Sequence, residues 1–154
     1  MIIEIPKLDP DGEQIAGEEP VAILGLETND PVQVEGPIAY DFFVQQVGKE
    51  LVVQGSLTLE TAAACGRCAE MFSTNLTISD FLRAFEISDG QDAMDLTDDI
   101  REEVLLHLPR YPVCGSDCKG LCPQCGHNLN DGSCGCEVSR GDARWSGLDD
   151  LKLK

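Results

Sequence analysis

The sequence lacks the residues that catalysis and base recognition usually need. It contains two histidines, one tryptophan and 5% aromatic residues in 154 positions. The patterns HExxH, GxSxG and GxxxxGK[ST], which are typical of metalloproteases, serine hydrolases and phosphate-binding loops, do not occur. Few aromatic rings are available for base stacking, so contact with phosphates or with protein is more plausible than base reading. The sequence therefore predicts a protein that is not an enzyme and has no catalytic residues.

Basic residues are also scarce. Lysine and arginine number 11 against 28 acidic residues, which gives a formal net charge of −17. Such a chain repels nucleic acid at long range, because basic proteins gain affinity from counterion release. We expect no DNA binding. The acidity indicates either simple solubility or attraction to a basic protein partner.

Long apolar runs are missing as well. No run approaches the roughly 18 residues of a membrane-spanning helix. The first residues, MIIEIPKLDPDG, have neither the basic region nor the apolar run of a signal peptide. We therefore expect a cytoplasmic protein without membrane contact, in which cysteines stay reduced.

Cysteine, by contrast, is abundant. Six of the eight cysteines lie between Cys114 and Cys136, and the other two form the motif CGRC at Cys65 and Cys68. Apart from cysteine, the clearly apolar side chains of the late block are two leucines among five glycines, so a hydrophobic core cannot offset the entropy of ordering it. Cross-links must hold this block in shape.

The cysteine spacing favours zinc as the cross-link. A tight pair such as that in CPQCG presents two sulfurs to one ion, and structural zinc sites commonly take one pair from each of two segments. Eight thiolates satisfy two such sites, so we predict two structural Zn²⁺ ions. Iron, an iron–sulfur cluster and disulfides remain alternatives. The predicted ligands are Cys65, Cys68, Cys114, Cys118, Cys122, Cys125, Cys134 and Cys136.

Local spacing favours two sets of four ligands. Cluster 1 contains Cys65, Cys68, Cys114 and Cys118, and it would tie the two halves of the chain together. Cluster 2 contains Cys122, Cys125, Cys134 and Cys136. An interleaved arrangement, or one site with four free thiols, stays open. His127 could replace a thiolate but is more typical of an exposed turn, and His107 is expected as a packed, hydrogen-bonded residue.

Outside the cysteine block, hydrophobic alternation predicts an antiparallel sheet. Residues 1–5, three segments between 32 and 61, and residues 74–87 have strand patterns, with Gly48 and Lys49 as a hairpin turn. Residues 6–19 are expected to form an acidic, mobile loop. The fold class is therefore α+β: a mostly antiparallel, curled or barrel-like sheet with a short helix and a C-terminal zinc-binding cysteine-rich module.

One helix is predicted after the sheet. Thr97 can cap it, apolar residues recur at helical spacing from Ile100 to Leu108, and Pro109 ends it. We divide the chain into a β domain at 1–88 that carries the first cysteine pair, an acidic linker and helix at 89–109, and a zinc module with a short helical tail at 110–154. In the tail, the spacing of Trp145, Leu148 and Leu151 predicts an amphipathic helix.

These motifs together resemble a known family. CGRC is followed by Phe72, an acidic helical run ends at Leu108–Pro109, the late block reads CGSDCKGLCPQCGHNLNDGSCGC, and the tail includes Arg144 and Trp145. This combination is similar to the YceD-type large ribosomal RNA subunit accumulation proteins of bacteria and plastids. The resemblance implies a role in ribosome assembly, through accumulation or processing of large-subunit ribosomal RNA, and no settled catalytic activity.

If the resemblance holds, the partner is a ribosomal protein or an assembly intermediate of the large subunit, with direct ribosomal RNA contact as a further possibility. A basic patch near the cysteines would favour RNA contact. The tryptophan of the tail is a residue type enriched in interface hot spots. The candidate partner-binding residues are Arg67, Lys119, Arg144, Trp145 and Leu148.

Two other classes of function stay open. A zinc-ribbon module for protein interaction or transcription would have the same CPxCG knuckle, and a separate, basic two-stranded ribbon would support it. A thiol redox protein or a zinc hydrolase is less favoured. A redox CxxC is expected at a helix N-terminus, whereas CGRC follows a strand-like run, and a catalytic zinc keeps one coordination position open.

Overall fold

The computed structural model describes residues 1–136, which form two antiparallel sheets and one α-helix. Short 3₁₀ turns lie at Ile5–Lys7 and Val21–Leu24. No helix in this described part is long and apolar enough to cross a membrane. The elements are β1 (Ile2–Glu4), β2 (Glu13–Glu19), β3 (Val32–Val47), β4 (Glu50–Ala64), β5 (Met71–Glu86), β6 (Ala93–Asp95) and α1 (Thr97–His107).

The larger sheet is a four-stranded antiparallel meander in the order β2-β3-β4-β5. Val47 pairs with Glu50 across the predicted turn at Gly48 and Lys49, which confirms that hairpin. Among the described strands β2 and β5 are the two edges, and no ladder joins them. The mostly antiparallel sheet with a helix is therefore confirmed, whereas a closed, barrel-like form is not.

The core lies on one face of this sheet. Phe42 of β3 and Phe81 of β5 stack with their ring centroids 4.6 Å apart, and both are almost fully buried. Ile100 and Val104 of α1 belong to the same buried cluster. Ile3 joins it from β1, which pairs antiparallel with β6. The helix is therefore part of the core of the sheet, and the division at residues 88 and 109 stays a prediction.

Strand β2 corrects the prediction of a mobile loop at residues 6–19. Its side chains alternate between partly buried and exposed, and Glu13–Glu19 pairs with β3 along its whole length. The segment has only one clearly apolar side chain on its inner face, Ile15, so its hydrophobic signal is weak. Main-chain hydrogen bonds to β3 stabilise it as an edge strand in spite of its acidic composition.

The start of α1 differs in detail from the prediction. The residue at the N-cap is Leu96, and Thr97 is the first helical residue. The carboxylate of Asp95 instead accepts hydrogen bonds from the Thr97 amide (3.0 Å) and hydroxyl (2.6 Å), and these bonds hold the pKa of Asp95 below its ordinary value. At the other end, Leu108 is extended, as expected for a residue before Pro109.

Candidate metal centres

The first half of cluster 1 is built by the turn that joins β4 to β5. Cys65 follows β4 directly, its amide donates to the carbonyl of Glu70 (2.8 Å), and its own carbonyl accepts the amide of Ala69 (2.8 Å). Ala69 adopts a left-handed conformation with φ 62°. This tight knuckle holds Cys65 and Cys68 almost fully buried, at 2% and 3% exposure, at one end of the sheet.

The chain after α1 supplies the other half of cluster 1. The carbonyl of Pro112 accepts the amide of Gly66 (2.8 Å), which brings Cys114 and Cys118 against the knuckle. All four sulfurs lie within 4.8 Å of one another. The Cys65–Cys118 sulfur distance is 3.8 Å and the Cys68–Cys114 distance is 3.7 Å.

These distances fit a tetrahedral metal site. With Zn–S bonds of about 2.3 Å, the sulfurs of a tetrahedron lie about 3.8 Å apart. A disulfide needs sulfurs about 2.05 Å apart, and all eight cysteines are free thiols here. The donor set is compatible with a metal ion, and four thiolates are the ligands of a structural rather than a catalytic zinc site.

Hydrogen bonds within cluster 1 stabilise negative charge on particular sulfurs. The amides of Cys114 and Arg67 lie 3.4 Å from the sulfur of Cys65. Backbone amides, that of Cys114 first, lower the pKa of Cys65 to about 6. The side-chain amide of Asn130 is the main cause of the lowered pKa of Cys118. Thiolates held in this way are ready to bind a cation.

Cluster 2 is built by a local hairpin. The amide of Cys122 donates to the carbonyl of His127 (2.8 Å), that of Gly126 donates to the carbonyl of Cys122 (2.9 Å), and Leu121 bridges to Asn128. The amides of Cys125 and Gln124 lower the pKa of Cys122 to about 6. The four sulfurs, from Cys122, Cys125, Cys134 and Cys136, again lie within 4.8 Å of one another.

The structure thus groups the eight predicted ligands in the two favoured sets of four. The clusters differ in exposure. In cluster 1 the two cysteines at the end of the sheet are buried, whereas in cluster 2 only Cys122 is buried, at 7% exposure. Neither histidine belongs to a cysteine cluster. That these thiols bind metal, and that the metal is zinc, stay predictions.

Arg67, predicted as a partner-binding residue, makes contacts within its own chain. Its guanidinium donates to the carbonyls of Ser116 (3.3 Å) and Cys118 (3.2 Å), and its carbonyl accepts the amide of Leu121 (3.0 Å). A Cβ at Gly120 would lie 3.0 Å from that same carbonyl, and Gly120 has φ +75°. These contacts make Arg67 a link between the knuckle and the late block.

The other candidate partner-binding residues are only partly described. Lys119 is exposed, and its amide donates to Asn130 (2.8 Å). The tail helix and its residues Arg144, Trp145 and Leu148 lie outside the described part of the chain. Asn130 is a residue of the site that the sequence analysis missed, because an asparagine in a turn is ordinarily explained by the turn alone.

A third group of possible ligands, Asp80, Glu103 and His107, lies where α1 meets β5. Glu103 of this group is already paired with the guanidinium of Arg83 at 2.6 Å, and Arg83 also lies 3.6 Å from Asp99. The Nδ1 atom of His107 lies 2.9 Å from the carbonyl of Glu103. His107 is hydrogen-bonded as predicted, although it is exposed rather than packed. Within this group, Glu103 therefore forms an ion pair between helix and sheet.

Comparison with known proteins finds a similar family for the later part of the chain. Residues 83–152 match the model of the large ribosomal RNA subunit accumulation protein YceD. This match covers less than half of the chain, whose later part is therefore similar to the YceD-type family. The large ribosomal RNA subunit accumulation protein YCED homolog 1, chloroplastic, of Arabidopsis thaliana is 36% identical over 59 residues, which are 38% of this chain and 18% of that protein. The resemblance inferred from the cysteine motifs is therefore confirmed.

Longer matches come from mycobacteria. An uncharacterized protein of Mycobacterium leprae (strain TN) is 29% identical over 138 residues, covering 73% of this chain and 64% of that protein. One of Mycobacterium tuberculosis (strain ATCC 25618 / H37Rv) is 29% identical over 126 residues, covering 72% and 60%. The chain thus spans about 60% of the length of these relatives. No solved structure matches it.

Proposed function

We propose that this protein is a non-enzymatic assembly factor that supports the accumulation or processing of large-subunit ribosomal RNA. The similarity to the YceD-type family and the two cysteine clusters support this role together. The observation that carries the structural part is the position of cluster 1, which joins the β4–β5 turn to the chain that follows α1. In this proposal both clusters hold structural Zn²⁺.

Zinc bound in the clusters would supply fixed tetrahedral cross-links in place of a hydrophobic core. Cys65 and Cys68 hold their side of cluster 1 rigidly, because the knuckle is an extension of the β4–β5 hairpin. Arg67 positions the loop that carries Cys118 through two carbonyls. In this proposal the sheet and the late cysteine block together form one fixed surface for a partner.

The partner in this proposal is a basic ribosomal protein or an assembly intermediate of the large subunit, met in the cytoplasm. A net charge of −17 attracts basic proteins and repels free RNA. Arg67 is engaged with carbonyls of its own chain, which weakens the case for a basic RNA-binding patch at the cysteines. Direct contact with RNA is therefore secondary to contact with protein.

A free-standing zinc ribbon is the less supported alternative. Cluster 1 takes half of its ligands from the sheet, so the late block does not form a separate module. Between residues 110 and 136, Arg110 and Lys119 are matched by Asp117 and Asp131, so the block is not basic. Both features argue against a DNA-binding ribbon.

The test begins with metal content. Native mass spectrometry of the purified chain should find two zinc ions per chain and no disulfides. Replacing Cys122 and Cys125 by serine should remove one ion and unfold the late block, because metal-binding energy at such sites is folding energy. Two ions retained in this variant would contradict the assignment of cluster 2.

The proposed role is tested by comparing the amounts of ribosomal RNA in cells that carry the gene and in cells that lack it. Loss of the gene should lower the ratio of large-subunit to small-subunit ribosomal RNA, and the native gene should restore it. A Cys65→Ser/Cys114→Ser variant should fail to restore it, whereas Ser116→Ala, which keeps every ligand, should succeed. An unchanged ratio in the deletion strain would overturn the proposed function.

A further inference from the structure

One side chain of the cluster 2 loop reaches a sulfur of cluster 1. Asn130 lies between Cys125 and Cys134, which are both members of cluster 2. Its Nδ2 atom donates to the sulfur of Cys118 in cluster 1, at 3.4 Å. The two clusters share no ligand, so this contact crosses from one site to the other.

The orientation of the Asn130 amide follows from its neighbours. Its Oδ1 atom accepts the amide of Lys119 at 2.8 Å, so this end must be the oxygen. The Nδ2 atom therefore points at Cys118, and it also donates to Oδ1 of Asn128 at 2.9 Å. The backbone amide of Asn130 donates to the same Asn128 oxygen at 3.1 Å. The side chain is held from both ends.

Backbone hydrogen bonds beside Asn130 also connect the two clusters. The amide of Leu129 donates to the carbonyl of Gly120 (2.9 Å), and the amide of Leu121 donates to the carbonyl of Arg67 inside the CGRC knuckle. The loop of cluster 2 thus lies against the loop that carries Cys118. Its position depends on its two ends, Cys125 and Cys134, which a metal in cluster 2 would fix.

We propose that Asn130 is a positioning residue through which the two clusters load metal cooperatively. A metal in cluster 2 orders the 126–133 loop and holds the Asn130 amide at the sulfur of Cys118. A hydrogen bond to a ligand sulfur fixes its orientation towards the metal, so cluster 1 binds metal more tightly. By linkage, metal in cluster 1 tightens cluster 2 by the same factor. This inference rests on the proposed binding of metal to both clusters.

The test is a double-mutant cycle on the zinc affinity of cluster 1, measured by chelator competition. One change is Asn130→Ala, and the other disables cluster 2 by Cys125→Ser with Cys134→Ser. Loss of a hydrogen-bond partner of a metal ligand typically weakens metal binding 10- to 100-fold, so each change should weaken cluster 1 about 10-fold. Because both act through one contact, the combination should be no weaker than either alone.

Matched variants separate the hydrogen bond from general damage to the loop. Asn130→Asp keeps the acceptor for Lys119 but places a carboxylate at the Cys118 sulfur, so it should weaken cluster 1 at least as much as alanine. Asp131→Ala changes the next residue, whose side chain makes no hydrogen bond within residues 1–136, and should leave the affinity unchanged. In ¹¹³Cd-loaded protein, the cluster 1 resonance should shift in Asn130→Ala but not in Asp131→Ala.

A zinc titration of the unaltered chain checks the coupling without any substitution. Native mass spectra should show few chains with one zinc ion, and Asn130→Ala should raise that population. Fewer than two ions at saturation would overturn the proposed metal sites. Two ions with a statistical distribution of singly loaded chains, or additive effects in the cycle, would overturn the coupling alone.

Discussion

At the scale of single residues, Gly55 has the least room for a side chain among the glycines of the described chain. It lies in β4 next to a register shift against β5, between Phe42 and Phe81 of the neighbouring strands. A Cβ atom at this position would lie 2.1 Å from the carbonyl oxygen of Asp41 and 2.9 Å from the Cα atom of Phe42. Both atoms belong to the backbone, so they cannot move without disturbing β3.

Gly55→Ala should therefore lower the free energy of unfolding by about 1–3 kcal/mol, the usual range for overpacking. Urea denaturation in the presence of zinc measures it. Gly90→Ala is the matched control, because Gly90 also has a positive φ, +81°, but has no atom within 4 Å of the added Cβ. Its cost should be that of the left-handed backbone alone, about 1 kcal/mol. Equal losses in the two variants would contradict the clash.

The residues of the metal clusters were predictable to different degrees. Spacing placed Cys122 beside Cys125 because a two-residue gap leaves little choice of geometry. It also favoured the long-range grouping of cluster 1, since only four cysteines then remained. Arg67 and Asn130 were not predictable as links, because their contacts depend on how two distant turns approach each other.

At the scale of elements, ion pairs as well as apolar packing hold α1 against the sheet. Arg83 of β5 contacts Asp99 and Glu103 on successive turns of the helix and lies over the ring of Phe81, 5.2 Å from its centroid. Glu103 is buried and relies on this cation. The negative charge of Asp99 is less fully compensated, because burial raises the pKa of Asp99 more than the Arg83 guanidinium lowers it.

This raised pKa predicts a pH-dependent effect of Asp99→Asn. The folded-state pKa lies above the unfolded value of about 3.9, so the contribution of Asp99 to stability is present below that value and is lost as pH rises through the folded pKa. Neutral asparagine avoids the loss. The melting temperature of the variant relative to the unaltered protein should therefore be higher at pH 7 than at pH 4.

Asp98→Asn is the control, because Asp98 lies in the same helical turn but is exposed. Its relative melting temperature should change less between the two pH values. A rise as large as that of Asp99→Asn would mean that the net negative charge of the chain, rather than burial of Asp99, governs the effect, because the helix dipole acts in the opposite direction.

The elements with strong hydrophobic patterns were predicted well, and those held by main-chain bonds were not. Strands β3, β4 and β5 alternate clearly, and α1 has apolar residues at helical spacing. Strand β2 is acidic with few apolar residues, and β6 has only three residues, so both form because β3 and β1 offer them unpaired backbone groups. Such pairing depends on the tertiary fold, so local sequence does not reveal it.

At the scale of the whole molecule, the charge predicts how association responds to salt. A chain of net charge −17 should bind a basic partner partly through long-range attraction. The fraction that co-sediments with large-subunit particles should fall as potassium chloride is raised from about 50 to about 300 mM, because the Debye length shortens to less than half. A fraction independent of salt would indicate apolar contact instead.

At this scale, only part of the site could be predicted from the sequence. Cysteine spacing favoured the grouping into two clusters without excluding an interleaved one, and the acidic charge follows from composition. The surface shared by the sheet and the late block could not be predicted, because it requires the β4–β5 turn and the segment after α1 to meet. The Gly66–Pro112 hydrogen bond and the Arg67 contacts are long-range features of this kind.

Cluster 1 also determines the order in which the chain can fold during translation. It joins Cys65 to Cys118 and Cys68 to Cys114, across separations of 53 and 46 positions. The β3–β4 hairpin leaves the ribosome first and can pair at once, whereas the cluster has no complete ligand set until Cys118 has emerged. If the clusters bind zinc as proposed, metal uptake is a late step of maturation. In a cell short of zinc, newly made chains would then accumulate with a folded sheet and an unfolded end that proteases can reach.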